Sequence, residues 1–319
     1  MKAVILKKQG GVDQLSVAEL PIPVPSKDEL LIKVYAIGIN PTDIYARQNV
    51  ALNYIFNNEE PKILGWDVSG VVVGHGENVT DFHIGDSVFG LLNFPTFTSP
   101  GHAKAYAEYV LARPEDVTLK PDNISHDEAS AVPLAALTTW QAIKKYPIKP
   151  GDRVFVTAAG GGVGHFAVQI AKYFGAHVTA LASGAKRDFV NSLGTDEFID
   201  YQRTNFVNVL APVDYVIEGL RDEHVGQTLR IVKKGGHLLS LWSKIDGTQW
   251  EKQAKVGGIH AFYNAVMSSG KDLSEIAVLL KMRKLIPHVS KKFTLEQMPL
   301  AHLEMEKNHT TGKIIVNPT

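Results

Sequence analysis

Residues 154–172 read VFVTAAGGGVGHFAVQIAK. The run opens with three apolar residues of β type, passes through three consecutive glycines, and continues with apolar residues at helical spacing. This pattern predicts a strand, a tight turn and a helix. The residues expected on the apolar face of that helix are Val163, Phe166, Ala167, Ile170, Ala171 and Phe174.

The turn carries a dinucleotide-binding fingerprint, A-x-G-x-x-G, with alanine in place of the first glycine. Glycine at 161 lets backbone N–H groups approach a pyrophosphate, and glycine at 164 lets the helix pack closely on the strand. The helix N-terminus adds unpaired donors and partial positive charge. A second β run, 178–182, follows at the distance expected of such a unit. The cofactor-binding residues predicted here are Ala159, Gly161, Gly162, Val163 and Gly164.

The end of the second strand selects between the two nicotinamide dinucleotides, because NAD-binding units usually carry Asp or Glu there for the ribose 2′-hydroxyl. Here that position is Ser183, and Lys186 and Arg187 follow it. A hydroxyl and two cations suit a 2′-phosphate, and each charge-assisted hydrogen bond contributes roughly 1.5 to 3 kcal/mol. We therefore predict NADP(H) as the cofactor. The alternative is a solvated basic start to a helix.

Composition excludes several classes of function. The chain has 319 residues, with 33 basic and 33 acidic side chains and no cysteine. A neutral balance without a basic stripe argues against nucleic acid as a partner, and the lack of cysteine excludes disulfides, thiolate nucleophiles and Cys-ligated zinc. Since no signal peptide or membrane-spanning run is visible, we expect a cytoplasmic protein without a membrane partner.

The pattern of elements indicates two domains, for which the length suffices. Short β runs between Pro and Gly turns indicate a small β barrel; they lie at 3–6, 29–37, 67–74, 87–91 and 107–111. From Ser125, which forms a capping box with Glu128, a helix is expected to continue to about Tyr146. Strands beginning near 154, 178, 198, 213 and 237 then alternate with helices, which predicts a doubly wound parallel sheet. Beyond 271 we expect a helix to 283, a strand at 289–294, a helix at 300–307 and a strand at 313–316.

Six segments carry a resemblance to a known family: GINPTDIYAR (38–47), GWDVSGVVVGHG (65–76), GDSVFG (85–90), AYAEYV (105–110), EASAVPLAALTTWQAI (128–143) and GDRVFVTAAGGGVGHFAVQIAK (151–172). With them the chain resembles the medium-chain dehydrogenase/reductase superfamily, and within it the zinc-independent quinone oxidoreductase branch related to zeta-crystallin. The resemblance implies an α/β protein with a GroES-like β-barrel catalytic domain over 1–121 and 268–319. A Rossmann domain with a doubly wound parallel sheet would occupy 122–267, with the active site in the cleft and a homodimer joined through the Rossmann domains.

The resemblance also indicates whether a catalytic zinc is to be expected. Zinc alcohol dehydrogenases of this superfamily hold their catalytic metal through a Cys and a His at positions that match Asn40 and Trp66 here. An amide is a poor zinc ligand and an indole is none, so we expect no metal. Oxidation of a simple alcohol without a metal would cost roughly 12 kcal/mol. Hydride arriving at a conjugated acceptor instead leaves a delocalised charge that hydrogen-bond donors or water can stabilise and protonate.

The resemblance implies roles for further residues. Asn40 would lie beside the nicotinamide ribose, and Tyr45 would donate to a substrate oxygen; we predict both as catalytic. Thr138 would contact the nicotinamide, and Tyr201 would lie beside the 2′-phosphate. Two loops would border the nicotinamide through Leu241, Trp242, Ser243, Ala261 and Phe262. Asp43 and Arg47 receive no catalytic role.

Aromatic residues are candidates for the flat walls of a substrate pocket: Tyr54, Phe56, Trp66, Phe94 and Phe97. Ordinary core packing is the alternative for this group. His165 follows the fingerprint, and we expect it on the surface rather than against a phosphate.

These observations predict an NADPH-dependent oxidoreductase that transfers a hydride to a quinone or a related conjugated carbonyl. One alternative is a double-bond reductase of enones or alkenals. Another, of a different class, is a non-catalytic NADPH-binding protein, because an intact fingerprint serves both.

Overall fold

The computed structural model describes residues 1–56, 59–96 and 100–318. Its strands are β1 (Lys2–Leu6), β2 (Leu15–Glu19), β3 (Leu30–Ile39), β4 (Asp67–His75), β5 (Ser87–Leu91), β6 (Tyr109–Ala112), β7 (Val117–Leu119), β8 (Arg153–Val156), β9 (His177–Ala182), β10 (Glu197–Asp200), β11 (Val213–Glu218), β12 (Val232–Ser240), β13 (His260–Tyr263), β14 (Val289–Thr294) and β15 (Lys313–Asn317). Its α-helices are α1 (Pro41–Gln48), α2 (His126–Ser130), α3 (Pro133–Lys145), α4 (Gly164–Tyr173), α5 (Arg187–Ser192), α6 (Phe206–Val209), α7 (Glu223–Leu229), α8 (Gln249–Gly257), α9 (Gly270–Lys281) and α10 (Met298–Glu306).

The chain divides into two compact units. The first comprises Met1–Leu137, Met267–Arg283 and Pro287–Thr319; the second comprises Thr138–Val266 and Lys284–Ile286. The domain boundary at 121/122 implied by the resemblance stays a prediction. Residues 122–137 lie with the first unit, because α2 packs against β3 and β4.

The first unit is built on a sheet in the order β14-β15-β3-β4-β5-β7, with β6 also paired to β3. Neighbouring strands run antiparallel apart from β14 and β15. Leu30, Ile32 and Val34 are buried on one face of β3, as expected for a sheet covered on one side. Beyond an irregularity in the pairing with β4, the residues from 36 to 39 are all buried.

That buried end of β3 brings three distant parts of the chain together. Gly38 pairs with Asp67 at the start of β4, and Ile39 pairs with Ile314 near the start of β15. A Cβ at Gly38 would lie 2.2 Å from the carbonyl oxygen of Ser130 in α2, so only glycine permits this approach. Asn40, Asp67 and Lys313 therefore meet at one end of the sheet.

One predicted helix is wrong in its extent. The capping box of Ser125 and Glu128 is confirmed, but α2 ends at Ser130 and a separate helix, α3, starts at Pro133. Proline has no N–H for the helical ladder and disfavours helical geometry at the residue before it. Pro133 therefore divides the segment, and the same rule could have been read from the sequence.

The second unit contains a six-stranded sheet in the order β10-β9-β8-β11-β12-β13 with every adjacent pair parallel. This confirms the predicted doubly wound sheet. The strand order reverses at β8, and in such sheets ligands bind outside the carboxyl ends of the strands at that point. Below that edge, Phe155, Val216, Val225 and Leu238 belong to a buried apolar core.

None of the helices in the described part of the chain has the length and apolar character needed to cross a membrane.

Candidate functional site

The glycine turn joins β8 to α4, as the sequence predicts. Ala158 adopts a φ of +49°, which bends the backbone sharply after the strand. A Cβ at Gly164 would lie 2.2 Å from the Ala158 carbonyl oxygen, so this glycine is required for the helix to approach the turn. A Cβ at Gly161 would meet that oxygen only at 3.2 Å, so packing alone does not exclude alanine there. A cofactor-binding role for Gly161 stays a prediction from the fingerprint.

Helix α4 is more deeply buried than an amphipathic pattern predicts. Every residue from Gly164 to Ala171 is buried. The prediction of a surface position for His165 is wrong: its side chain is fully buried, and its Nδ1 shares a hydrogen bond with the Gly161 carbonyl at 3.0 Å. Gln169 binds the backbone of Ile286 through both ends of its amide, at 2.8 and 3.1 Å.

A cation covers the glycine turn. Lys186 ends the short 3₁₀ turn that follows Ser183, and its backbone N–H donates to the Ser183 carbonyl at 2.9 Å. Its side chain lies over Gly160, where an added Cβ would come within 2.7 Å of the Lys186 Cδ. Burial lowers the pKa of the Lys186 ammonium, because the charged form is disfavoured where water is excluded. Arg187, by contrast, packs its guanidinium over the ring of Phe198 at 4.3 Å.

A carboxylate that the sequence analysis overlooked lies beside Ser183. Asp200 is the last residue of β10 and pairs in register with Ala182 at the end of β9. A Cβ at Gly184 would lie 2.5 Å from the Asp200 Oδ2. The carboxylate accepts from the Gln202 N–H at 3.0 Å, and Arg203 approaches it at 3.7 Å. The neutral Ser183, which follows β9, therefore lies near the carboxylate of Asp200 at the end of β10.

A cleft of about 470 Å³ opens at the same edge of the sheet and is lined by Leu181, Tyr201, Phe206, His224 and Gln227, among others. Behind it, the fully buried Glu218 ends β11. Its carboxylate accepts from the Thr157 hydroxyl at 2.7 Å and pairs with His224 Nδ1 at 2.8 Å. This network ties the carboxyl ends of β8 and β11 together where the strand order reverses.

The residues predicted to border a nicotinamide have different surroundings within the second unit. Ser243 is buried, and its hydroxyl accepts from the Asp222 N–H at 2.8 Å. The Arg221 guanidinium packs over the Trp242 ring, 4.4 Å from the ring centroid. Phe262 packs on Tyr146 with ring centroids 4.3 Å apart.

The remaining members of that predicted set lie close to backbone groups. The Thr138 carbonyl accepts from Asn264 Nδ2 at 3.5 Å. Leu241 follows β12 directly, with its N–H bonded to the Glu218 carbonyl, and Ala261 lies within β13.

The first unit holds a polar cluster around Asn40, defined by Asn40, Asp43, Asp67 and Lys313, all at most 2% exposed. Asn40 caps α1, and its backbone N–H donates to Asp43 Oδ2 at 2.6 Å. Its Nδ2 donates to Asp67 Oδ2 at 2.8 Å, while its Oδ1 accepts from the Lys313 ammonium. Lys313 also donates to the Ile39 carbonyl at 3.0 Å and lies 3.4 Å from Asp67 Oδ2.

Charge is unbalanced in this cluster, which has two carboxyl groups and one ammonium. Burial raises the pKa of the Asp43 carboxyl to about 7, although the hydrogen bond from the Asn40 N–H acts in the opposite direction. Burial also raises the pKa of Asp67 and lowers that of Lys313, and the attraction between the two opposes both shifts. Since an unpaired buried charge is costly, we expect the cluster to retain one proton near neutral pH, on Asp43.

The predicted aromatic walls separate into distinct environments. Trp66 is buried, its indole donates to the Gly101 carbonyl at 2.8 Å, and its ring meets the edge of Phe94 at 5.5 Å. Phe56 is also buried and packs edge-on against His102, whereas Tyr54 is 46% exposed. Phe97 lies outside the described residues. Tyr45 is half-buried in α1.

Comparisons with known proteins agree with this architecture. The alcohol dehydrogenase GroES-like domain family matches residues 26–122, and the zinc-binding dehydrogenase family matches residues 193–316. A chloroplastic quinone-oxidoreductase homolog of Spinacia oleracea is 32% identical over 97% of this chain and 95% of its own length. The chain belongs to the medium-chain dehydrogenase/reductase superfamily. Two further relatives of the superfamily cover the whole chain. A chloroplastic NADPH-dependent alkenal/one oxidoreductase of Arabidopsis thaliana is 31% identical over 100% of this chain and 80% of its own length. The solved structure of the quinone oxidoreductase from Coxiella burnetii is 32% identical, with a TM-score of 0.90 over 100% of this chain and 99% of that one.

Membership confirms the predicted GroES-like and Rossmann architecture and the zinc-independent, quinone oxidoreductase-like branch of the superfamily. The chain is an oxidoreductase of an NAD(P)H-dependent family, which disfavours the non-catalytic alternative. Its residues do not fit the superfamily's catalytic zinc, because the Asn40 amide is committed to Lys313 and Asp67 and the Trp66 indole to Gly101. Among residues 1–56, 59–96 and 100–318, no group of three or more His, Cys, Asp or Glu side chains could hold a metal ion.

Some of the predicted residues lie together in the structure, and other candidate site residues were not predicted. The fingerprint glycines, Ser183, Lys186 and Tyr201 lie at the carboxyl edge of the sheet in the second unit. The missed residues include Asp200, Glu218 and His224 there, and Asp67 and Lys313 in the first unit. Signals for three of them are present in the sequence: Asp200 and Glu218 each end a β run, and Lys313 is a charged residue directly before three apolar residues of a strand.

Proposed function

We propose that this protein reduces a quinone or a related conjugated carbonyl by transfer of a hydride directly from the nicotinamide of NADPH to the acceptor, without a metal. The observation that carries the proposal is the hydrogen bonding of the Asn40 side chain. Its carboxamide is held by the Lys313 ammonium on one side and the Asp67 carboxylate on the other. Such a residue can offer a neutral N–H donor and cannot serve as a metal ligand.

A site whose donors are neutral suits only an acceptor that spreads the incoming charge. A hydride added to an isolated ketone leaves an alkoxide whose conjugate acid has a pKa near that of water, which a neutral amide stabilises poorly. A conjugated acceptor yields an enolate or phenolate instead, for which one or two hydrogen bonds suffice. Tyr45 is our candidate for donating such a bond, and Asn40 would place its N–H beside the nicotinamide end of the cofactor.

The second unit supports NADPH as the hydride source. The open face of Gly161 suits a pyrophosphate at the N-terminus of α4, since a side chain there would intrude on the backbone donors. Lys186 and Ser183 would receive the 2′-phosphate, with Tyr201 in the adjacent cleft as a platform for the adenosine. Asp200 opposes this preference, so we expect NADPH to be favoured over NADH by a moderate factor.

The test is oxidation of NADPH and NADH by purified protein treated with EDTA, with a quinone and a simple enone as separate acceptors. We expect turnover with NADPH that survives the chelator. A Ser183→Asp, Lys186→Ala variant should lose the NADPH preference by about ten- to a hundredfold, the value of one charge-assisted hydrogen bond. Lys233→Ala, which removes an exposed lysine of the same unit, is the matched control and should leave the ratio unchanged.

Tight NADPH binding without turnover of either acceptor would contradict the proposed reaction, and activity abolished by EDTA would contradict the metal-free site.

A double-bond reductase of enones or alkenals is the second candidate, favoured by the similarity to the alkenal/one oxidoreductase. The two differ in their products, because hydride transfer to a quinone gives a hydroquinone, whereas hydride transfer to the carbon–carbon double bond of an enone gives a saturated ketone. Chromatography of the products would distinguish them. A kcat/KM for the enone well above that for the quinone would favour the second candidate.

We also propose a homodimer joined through the Rossmann domains. The position of β13 at the outer end of its sheet supports this, because an edge strand can pair with a second copy. Light scattering at micromolar concentration would give the mass, and a monomer would refute the proposal.

A further inference from the structure

We propose that Lys313 is a positioning residue which, together with Asp67, holds the Asn40 carboxamide in one orientation, so that an Nδ2–H donor is the group presented to the bound nicotinamide end of the cofactor. The inference rests on the proposed function in one respect, namely that Asn40 contacts the cofactor. It assigns no direct contact with substrate to Lys313 itself.

The backbone around Lys313 fixes the position of its side chain in the polar cluster around Asn40. It is the first residue of β15, whose next residue, Ile314, pairs with Ile39 of β3. Gly312 before it has a φ of +60°, and a Cβ there would lie 2.3 Å from the His288 carbonyl oxygen. The Lys313 N–H is bonded to that same carbonyl at 2.8 Å. A tight turn therefore fixes where the side chain enters the cluster.

All of the donors of Lys313 are engaged inside the protein. An ammonium has three N–H groups, and Lys313 directs them to the Ile39 carbonyl, the Asn40 Oδ1 and the Asp67 Oδ2. Because all three are engaged in this way, no donor of Lys313 remains for a substrate. Lys313 must act through the groups that it binds.

Those groups select one of the two orientations of the amide. As found, Asn40 Oδ1 faces the ammonium and Nδ2 faces the carboxylate, so a donor meets an acceptor at both ends. Rotation of the amide by 180° would oppose its oxygen to the Asp67 oxygen and its NH₂ to the ammonium. Both contacts would then be repulsive between buried groups. Nδ2 uses one hydrogen for Asp67, and the second remains for a ligand.

A double-mutant cycle tests this inference with Lys313→Met, Asn40→Ala and the combined variant. NADPH dissociation constants are measured by the quenching of tryptophan fluorescence, and kcat/KM is measured with a quinone. We expect each single change to raise the NADPH dissociation constant about tenfold, which is the effect expected from the loss of one hydrogen bond. Because Lys313 acts only through Asn40, the combined variant should be no weaker than Asn40→Ala.

Two controls separate positioning from a structural effect. Lys292→Met removes an exposed lysine from the neighbouring strand β14 and should change neither constant. If Lys313→Met does not fold, the neutral pair Asp67→Asn, Lys313→Met replaces it in the cycle, since it leaves no unpaired charge. We expect the side-chain amide protons of Asn40 to exchange slowly with solvent in the wild type and at least tenfold faster in either Lys313 variant.

Additive losses in the cycle would overturn the inference, as would an Asn40→Ala variant that binds NADPH normally. Failure of the proposed function is a separate result: a wild type that binds NADPH and turns over no acceptor. The binding cycle and the exchange rates would still decide the role of Lys313 in that case.

Discussion

Replacing Asp43 by asparagine should change how the stability of this protein depends on pH. Asp43 is fully buried, and burial raises the pKa of its carboxyl from 3.8 to about 7. Asparagine has nearly the same shape, and its oxygen can still accept from the Asn40 N–H. The substitution therefore removes the titration and largely keeps the packing.

The sign follows from proton binding in the two states. Between about pH 4 and pH 7 the unfolded chain has lost this proton and the folded protein still holds it, so the free energy of unfolding falls as the pH rises. The raised pKa lies about three units above the ordinary value, at about 1.4 kcal/mol for each unit, which amounts to about 4 kcal/mol. This contribution is fully present below pH 4 and is lost as the pH rises through 7.

Other groups titrate in the same interval, so the informative quantity is the difference between variant and wild type. Burial lowers the pKa of His302 to about 3, which makes the protein more stable as the pH rises toward 6.5. Both proteins keep His302, and its contribution cancels. Among the charged groups that face Asp43, Asp67 and Lys313 also remain in both.

The assay is urea unfolding followed by circular dichroism at one-unit steps from pH 4 to pH 8, extrapolated to water. We expect Asp43→Asn to gain about 4 kcal/mol relative to the wild type across that range. Asp81→Asn, which replaces an exposed carboxyl of the same unit, is the control and should show no such gain. A difference that stays constant within about 1 kcal/mol would refute the reasoning, because Asp43 would then ionise in the folded protein as it does in the unfolded chain.

Two other substitutions probe the second unit. Gly164→Ala should destabilise the protein by about 1–3 kcal/mol or more, because its Cβ would meet the backbone of Ala158. Gly161→Ala should fold normally and lose NADPH affinity. If thermal unfolding showed an equal loss of stability in the two variants, this expectation would be contradicted. Asp200→Asn should raise the ratio of kcat/KM for NADPH over NADH roughly tenfold, since about 1.4 kcal/mol is a modest repulsion between partly buried like charges. An unchanged ratio would mean that the 2′-phosphate binds away from Gly184.

Local features of the chain could be predicted because their causes are local. The turn from β8 to α4, the need for Gly164 and the cap at Ser125 each follow from steric and hydrogen-bonding rules that act within a few residues. The parallel sheet followed from the alternation of strands and helices. The end of α2 at Ser130 belongs with these, because Pro133 is visible in the sequence.

Pairings between distant residues were not predictable in this way. Nothing near Asn40 indicates Lys313, which lies 273 positions away and reaches it only because β15 pairs with β3. Asp200 reaches Ser183 for a similar reason, through the register of β10 on β9. His165 occupies a buried site that its position in the helix does not reveal.

The sequence by itself therefore determined the glycine turn between β8 and α4 and the two kinds of sheet, since short-range sterics and the periodicity of apolar residues dictate both. Only the tertiary structure decided the electrostatic surroundings of the site residues. The charge that faces a given side chain depends on which strands become neighbours and in what register, and both are settled by burial across the whole sheet.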